Sequence, residues 1–442
     1  MTVPAGTQTN KLTFLTKFAF GMGDFWTSIG NIAMATYLTM FYTDVVKFSP
    51  AMIASMLLVV RVIAAFWDLL VGILVDRTDS KWGKARPWML AGGILYGIAF
   101  LFLFTDPFGN SLQGAIYAWI IYTVVNIAYS TVNDSYASLT SLLTSDSDEK
   151  TSLNIYRMTI ANIAAMLVYI LAMPIIGMFA NKAMGWSVFF GVIAVMIPFG
   201  YWFTFHNTHE KVTAQNAESQ RVSVLKQFRA LAGNKYWWVT LGLNFALWIY
   251  NGISNGMAAY ISTYVLGNSN LTGVIGLATV IPLIIGLPLA GPLIVRFGKR
   301  NLSLAGLVLV VAGSLLVLVN PYNTMMFFVS IILRMFGMVP MNASLNAMSG
   351  DVVEYGEKTT GVRSDGIVFS SSSFSMKIAM GVSSAAIAWV LAQSGYVGGA
   401  PHQAASAIHA MIDMFVWAPI AMVVVIALLL FIYDLDDRIK DL

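Results

Sequence analysis

The chain has 442 residues, of which 58% are hydrophobic and only 10% charged, with a net charge of +4. A soluble globular chain carries roughly 25% charged residues, so there is too little charge here to cover a soluble body, and lipid is the solvent for most of it. The cations sit in particular loops and form no single basic face, which excludes nucleic acid as a partner, and the absence of cysteine excludes disulfides, thiolate metal sites and cysteine catalysis.

The opening MTVPAGTQTNK is short and polar and lacks the basic-then-apolar pattern of a cleaved signal peptide. The first helix, beginning near Lys17, is therefore expected to act as an uncleaved signal anchor. About 20 mostly apolar residues cross a bilayer. Such stretches fall near 14–43, 51–75, 88–105, 112–141, 152–180 and 184–205. A polar stretch runs from His206 to Lys235, and six more spans follow near 236–266, 271–295, 302–319, 323–348, 366–393 and 405–433. Alternate loops differ sharply in charge. One set holds Arg77, Lys81, Lys84 and Arg86; Lys211, Arg221, Lys226, Arg229 and Lys235; Arg296, Lys299 and Arg300; Lys358 and Arg363. The other holds little more than Lys47 and Lys182. This imbalance puts both termini and the basic loops in the cytoplasm, and an odd number of spans would destroy it.

The expected organisation is an N-terminal six-helix bundle (1–205), a cytoplasmic linker (206–235) and a C-terminal six-helix bundle (236–442). Each half has a comparable element between its second and third helices, GILVDRTDSKWGKARPW from Gly72 to Trp88 and GPLIVRFGKRN from Gly291 to Asn301. These resemble the loop signature of the major facilitator superfamily. Flanking positive charge alone is the other reading, but recurrence at matching places in both halves favours the superfamily. The resemblance implies an all-α membrane protein of twelve transmembrane helices in two halves, with substrate held between them near the midplane.

Ionisable groups inside a span are costly and so are functional candidates. The first helix carries Asp24, Thr27, Ser28 and Asn31 at i, i+3, i+4 and i+7, one polar stripe. The second carries Arg61 and Asp68. The fourth has Asn126, Tyr129, Asn133 and Tyr136 on one face with Asp134 adjacent, and the fifth opens with Arg157. Asn244, Trp248, Asn251 and Asn255 form a stripe on the seventh. The tenth has Arg334, Asn342 and Asn346, and the eleventh has Ser370, Ser373 and Lys377. At 1.5 Å per residue, Asp24, Asp68, Asn133 and Lys377 lie roughly 10–17 Å from the estimated cytoplasmic ends of their helices. They converge on the middle third of a core about 30 Å thick, as a central hydrophilic cavity requires. Carboxylates and amides take bidentate hydrogen bonds from vicinal hydroxyls, and an aromatic face packs on the apolar side of a pyranose. That chemistry suits a sugar. Interhelical bonding is an equal reading for Asn342 and Asn346. Arg334 reads first as a structural partner of a helix end or carboxylate, and Lys377 as a neutralising partner of Asp68 or Asp24.

An ordered set of motifs spans nearly the whole chain: FGMGDFW (Phe20–Trp26), FYTDVV (Phe41–Val46), RVIAAFWDLLVG (Arg61–Gly72), AYSTVNDSYASL (Ala128–Leu139) and GDVVEYGEKTTGVRSDG (Gly350–Gly366), with Lys377 beyond. Together they resemble the glycoside–pentoside–hexuronide:cation symporter family. The resemblance implies sugar contacts at Asp24, Asn133 and Arg157, a Tyr129–Ser130 pair lining the sugar and cation sites, a cation carboxylate at Asp68, and Lys377 linking the two sites. Trp248 and Asn251 join the substrate set from the polar stripe on the seventh helix.

The chain departs from the family pattern in three places. Where the cation motif has two carboxylates four residues apart, this chain has Ala64 and Asp68, with Trp67 at the intervening polar position. A hard cation wants several oxygen ligands, whereas one acid in a low-dielectric cavity carries a proton, so proton coupling is favoured over sodium. The family's N-x-P-Y run reads Asn133-Asp134-Ser135-Tyr136, losing proline and gaining an acid. The stacking aromatic becomes Ala137, which passes stacking to Tyr136, Trp26 or Trp248. The basic groups suit a sugar acid as well as a neutral glycoside.

The expected protein is thus a cation-coupled sugar symporter of the inner membrane. An uncoupled facilitator and a lipid transporter of the same fold are the alternatives. No metal-binding histidine pair and no nucleophile motif point to an enzyme. No cofactor is implied, since H+ or Na+ is itself transported. The partners are a small sugar or sugar acid, the coupling cation and membrane lipid, with the chain a monomer or weak oligomer.

Overall fold

The structure is a computed structural model that describes residues 12–144, 147–210, 228–229, 231–361, 365–400 and 402–435. Lys211, Arg221 and Lys226 of the linker, Arg363, and the side chains of Asp76 and Asn346 lie outside the described residues.

Twelve long helices make up the described chain. The first, α1, runs Phe14–Ile32 and continues through a π turn at Ala33–Tyr37 to a second at Phe41–Val45. It is followed by α2 (Pro50–Arg77), α3 (Arg86–Leu103), α4 (Leu112–Leu143), α5 (Ser147–Gly177) and α6 (Lys182–Asn207). The second series is α7 (Lys235–Tyr260, with a π turn at Ile261–Val265), α8 (Leu271–Phe297), α9 (Lys299–Val319), α10 (Thr324–Thr360), α11 (Asp365–Gln393) and α12 (Ala405–Ile432). Short polar residues start many of them. Ser49, Ser111, Asn181 and Asn323 each accept a backbone N–H from the first turn that follows, which satisfies a donor no helical carbonyl can reach.

Ten of the helices are long and apolar enough to cross a membrane. The two that fall short are α1 and α7, the ones bearing the long polar stripes. Each pack of helices therefore opens with a member too polar to face lipid along its whole length. Large apolar side chains such as Val192, Phe199, Val295 and Phe431 are exposed on the outer surface, as lipid requires.

Packing repeats between the two series. In the first, α1 packs on α5 and α6, α2 on α4, and α3 on α4 and α6. In the second, α7 packs on α11 and α12, α8 on α10, and α9 on α10 and α12. Between the series, α2 meets α11, α5 meets α8, and α7 meets the first π turn of α1. Gly306 and Gly337 show how close such contacts come. A Cβ on Gly306 would collide with the Gly337 carbonyl oxygen, so α9 and α10 touch through their backbones.

One boundary differs from expectation. Hydropathy ends the tenth span near 348, but α10 continues to Thr360. Its extension carries Asp351, bonded to Lys299, and the i,i+4 pair Glu354–Lys358 at 3.2 Å. It stops at Gly361, whose φ of 68° closes the helix in the left-handed conformation. The apolar pattern stops where lipid ends, while the helix persists into water on ion pairs.

Candidate functional site

The residues singled out in sequence assemble around two ion pairs. Asp24, 9% exposed on α1, receives the Arg157 Nε of α5 at 3.2 Å. The Tyr136 ring lies 5.4 Å from the Arg157 guanidinium and is stacked on Phe20 with centroids 4.6 Å apart. Its hydroxyl donates to the Phe20 carbonyl. Tyr136 thus packs against both Phe20 and Arg157 beside Asp24.

The second pair joins the two series. Lys377 of α11, 3% exposed, lies 2.5 Å from the Asp68 Oδ2 of α2 and donates to the Ser130 Oγ of α4 at 3.1 Å. Among the described residues no donor reaches the buried Asp68 Oδ1. Trp67, one residue earlier, donates from Nε1 to Thr131 Oγ1 at 3.0 Å, which fixes this turn of α2 against α4.

Asp134 belongs to the second group. Asn133 Nδ2 donates to its Oδ1 at 3.2 Å, and its carboxyl stands within side-chain hydrogen-bond reach of Asp68 and in the field of Lys377. The sequence marks Asp134 as an off-pattern acid but gives no sign that it faces Asp68, because the two are 66 positions apart on different helices. Tyr129 lies between the groups, buried and in the field of Asp24, Asp68, Asp134 and Arg61 together.

The other candidates separate. Trp248 and Asn251 are half-buried on α7, and among the described residues no hydrogen bond ties them to either pair. On the same stripe Asn244 Oδ1 is buried without a partner, as are Trp26 Nε1 and Asn31 Oδ1 on α1. A buried polar atom left unmatched costs about 1–3 kcal/mol. Of these, Trp26 Nε1 is packed against Gly200 of α6. Arg334 is structural: it donates to Tyr250 Oη (3.4 Å), Ser254 Oγ (3.0 Å) and the Phe415 carbonyl (3.3 Å), tying α10 to α7 and α12. Asn342 bonds its own helix at the Met338 carbonyl.

The basic loop after α2 is anchored on the start of the linker, just beyond the end of α6. Glu210 accepts the backbone N–H groups of Lys84, Ala85 and Arg86 at the start of α3, while the Arg86 guanidinium lies over Phe205. An open cavity of about 740 Å³ lies elsewhere, between α7 and α11, lined by Trp237, Trp238, Phe245 and Phe374 with three serines. Ser370 is the candidate residue that lines it, and its walls are mainly apolar.

A family profile described as MFS/sugar transport protein matches residues 19–437. The isoprimeverose transporter of Lactiplantibacillus pentosus is 30% identical, over 97% of this chain and 90% of its own. The inner membrane symporter YicJ of Escherichia coli (strain K12) is 30% identical, over 91% of this chain and 88% of its own. Among solved structures, the nucleoside transporter NupG is similar in fold, with a TM-score of 0.67 at 13% identity, covering 96% of this chain and 100% of that one.

Proposed function

This chain belongs to the family of MFS/sugar transport proteins, and from that premise we propose that it is a proton-coupled sugar symporter importing a glycoside, pentoside or hexuronide by alternating access. It is a multi-pass membrane sugar transporter and not an enzyme. The observation that carries the coupling is the bond of Lys377, from the second half, to Asp68 and Ser130 of the first. A cation arriving at Asp68 competes with the lysine, and that competition alters the contact between halves. Any transported ion that acts this way links its own binding to the motion of α2 against α11.

Asp24 and Arg157 hold the sugar in this reading, with Tyr129 between the groups, Asn133 reaching in from beside Asp134, and Trp248 and Asn251 facing from α7. Asp68 loads the cation and Ser130 guides Lys377. The proton is favoured over sodium because Asp134 stands against Asp68, and two carboxylates in contact hold a proton between them readily. The bundles 1–205 and 236–442 move against each other about this centre, the segment 206–235 linking them. Both termini lie in the cytoplasm and the protein sits in the inner membrane, which the charge of the loops and the likeness to YicJ support.

Uptake of labelled glycosides, pentosides and hexuronides into sealed vesicles under an imposed proton or sodium gradient tests this reading. Accumulation driven by protons and lost in Asp68→Asn supports it. Accumulation driven only by sodium moves the coupling to that ion, and equilibration without accumulation under either gradient makes the protein a facilitator.

A further inference from the structure

Two lysines stand apart in the charge pattern. The loops of one face hold nearly all the cations, and the opposite face holds little beyond Lys47 and Lys182. Those two are 135 positions apart in the chain, yet both line one cavity of about 430 Å³. It lies among the ends of α1, α5 and α7 and the start of α6, under the loop joining α11 to α12. Its volume falls in the range of small-molecule pockets, about 300–1,000 Å³.

The wall has a definite chemistry. Its third ionisable group, Asp44, is already satisfied, accepting from the hydroxyls of Thr43 (2.7 Å), Tyr264 and Tyr396. Lys47 gives one N–H to the Gly398 carbonyl and keeps two others. Its φ of 67° is left-handed, a conformation that costs a lysine about 1–3 kcal/mol and persists where surrounding structure holds it. Lys182 is exposed at the first position of α6, where the positive end of the helix disfavours a second cation and welcomes an anion. Among the described residues Thr263 Oγ1 is buried on the same wall without a partner, and Ser269, Trp186 and Tyr264 share the wall with apolar Met40, Met173, Ile176 and Phe179. Two ammonium groups, an unmatched hydroxyl and an aromatic side thus surround a single acid whose acceptors are taken.

We propose that this cavity is an outer vestibule subsite that collects an anionic sugar, a sugar carboxylate or sulfonate, before it passes to the central pairs. The proposal rests on the transport reading and on this face being outward. Charge-assisted bonds to Lys47 and Lys182 hold the acid group, while Thr263 and Ser269 meet ring hydroxyls. A neutral glycoside makes only the second kind of contact, so the vestibule biases the carrier toward acids.

The chain has no cysteine, so Ser269→Cys in the full-length protein gives a single labelling site free of background. The purified variant, in zwitterionic lipid nanodiscs, is treated with a maleimide in the presence of methyl glucuronide or methyl glucoside. Glucuronide should slow labelling where glucoside does not, and adding Lys47→Gln and Lys182→Gln should raise the glucuronide concentration for half protection by about tenfold or more. Lys182→Gln alone, at an exposed position, should give part of that shift without risk to folding, and Lys47→Arg should preserve protection. Equal protection by both sugars, or protection indifferent to the lysines, overturns the proposal. So does protection by anionic phospholipid nanodiscs without sugar, which assigns the cavity to a lipid headgroup. The readout is occupancy beside the introduced thiol and needs no turnover, so vesicles that take up no sugar would refute the transport reading and leave the labelling result to be judged separately.

Discussion

The two ion pairs of the interior are made of the same chemistry and placed differently. Asp24 and Arg157 sit on α1 and α5, helices of one half that pack directly on each other. Their side chains keep 13% and 28% of their surface, so the pair lies within one set of packed helices and retains an open side. Asp68 and Lys377 sit on α2 and α11, helices of different halves, and are 17% and 4% exposed. Any motion that parts α2 from α11 must separate them. Parting a buried pair with nothing to replace either member costs about 3–5 kcal/mol, so the separation needs a cation on Asp68, another acceptor for Lys377, or both. In the proposed mechanism, position in the fold and not residue type assigns one pair to ligand and the other to the contact between halves.

The comparison breaks most visibly at the first pair. Asp24→Ala should lower sugar uptake and binding at least ~100-fold, or about 2.7 kcal/mol, in a protein that still elutes as a single folded species. Retained affinity would remove Asp24 from the site. At the second pair the expected failure is of another kind. Asp68→Asn and Lys377→Gln should abolish accumulation against a gradient while sugar exchange across vesicles at equal concentrations continues. If exchange fell together with accumulation, the two pairs would not divide binding from coupling as their positions suggest.

Asp134 sharpens the contrast. It stands against Asp68 and within the field of Lys377, and the proposed coupling gives it the lysine once Asp68 is loaded. Asp134→Asn should cut proton-driven accumulation by about tenfold, roughly 1.4 kcal/mol, with exchange little changed, and unaltered accumulation would leave Asp134 outside the coupling. The smallest functional effect belongs to Arg334, which bonds only within the second half. Arg334→Lys, which loses the planar fork, should lower stability by about 1–3 kcal/mol, seen in thermal unfolding, with the apparent KM for sugar unchanged.

Much of this was legible in the chain. The lengths of the spans, the loop charges and the polar stripes of α1 and α7 follow from the cost of exposing polar groups to lipid, a constraint that acts on each segment separately. So does the standing of Asp24, Asp68, Arg157 and Lys377 as candidates, since each is an ionisable group at membrane depth. Which cation serves which acid was not legible. Lys377 is a neutralising partner of Asp68 or Asp24 by composition alone, and Arg334 a partner of any acid or helix end. The tertiary structure decided that Lys377 meets Asp68, that Asp134 stands beside Asp68, that Tyr136 packs on Phe20 and Arg157, and that Lys47 and Lys182 share one cavity. Each of these is set by how helices distant in sequence cross and rotate against one another. That depends on packing shape summed over many side chains, which no local pattern in the sequence records.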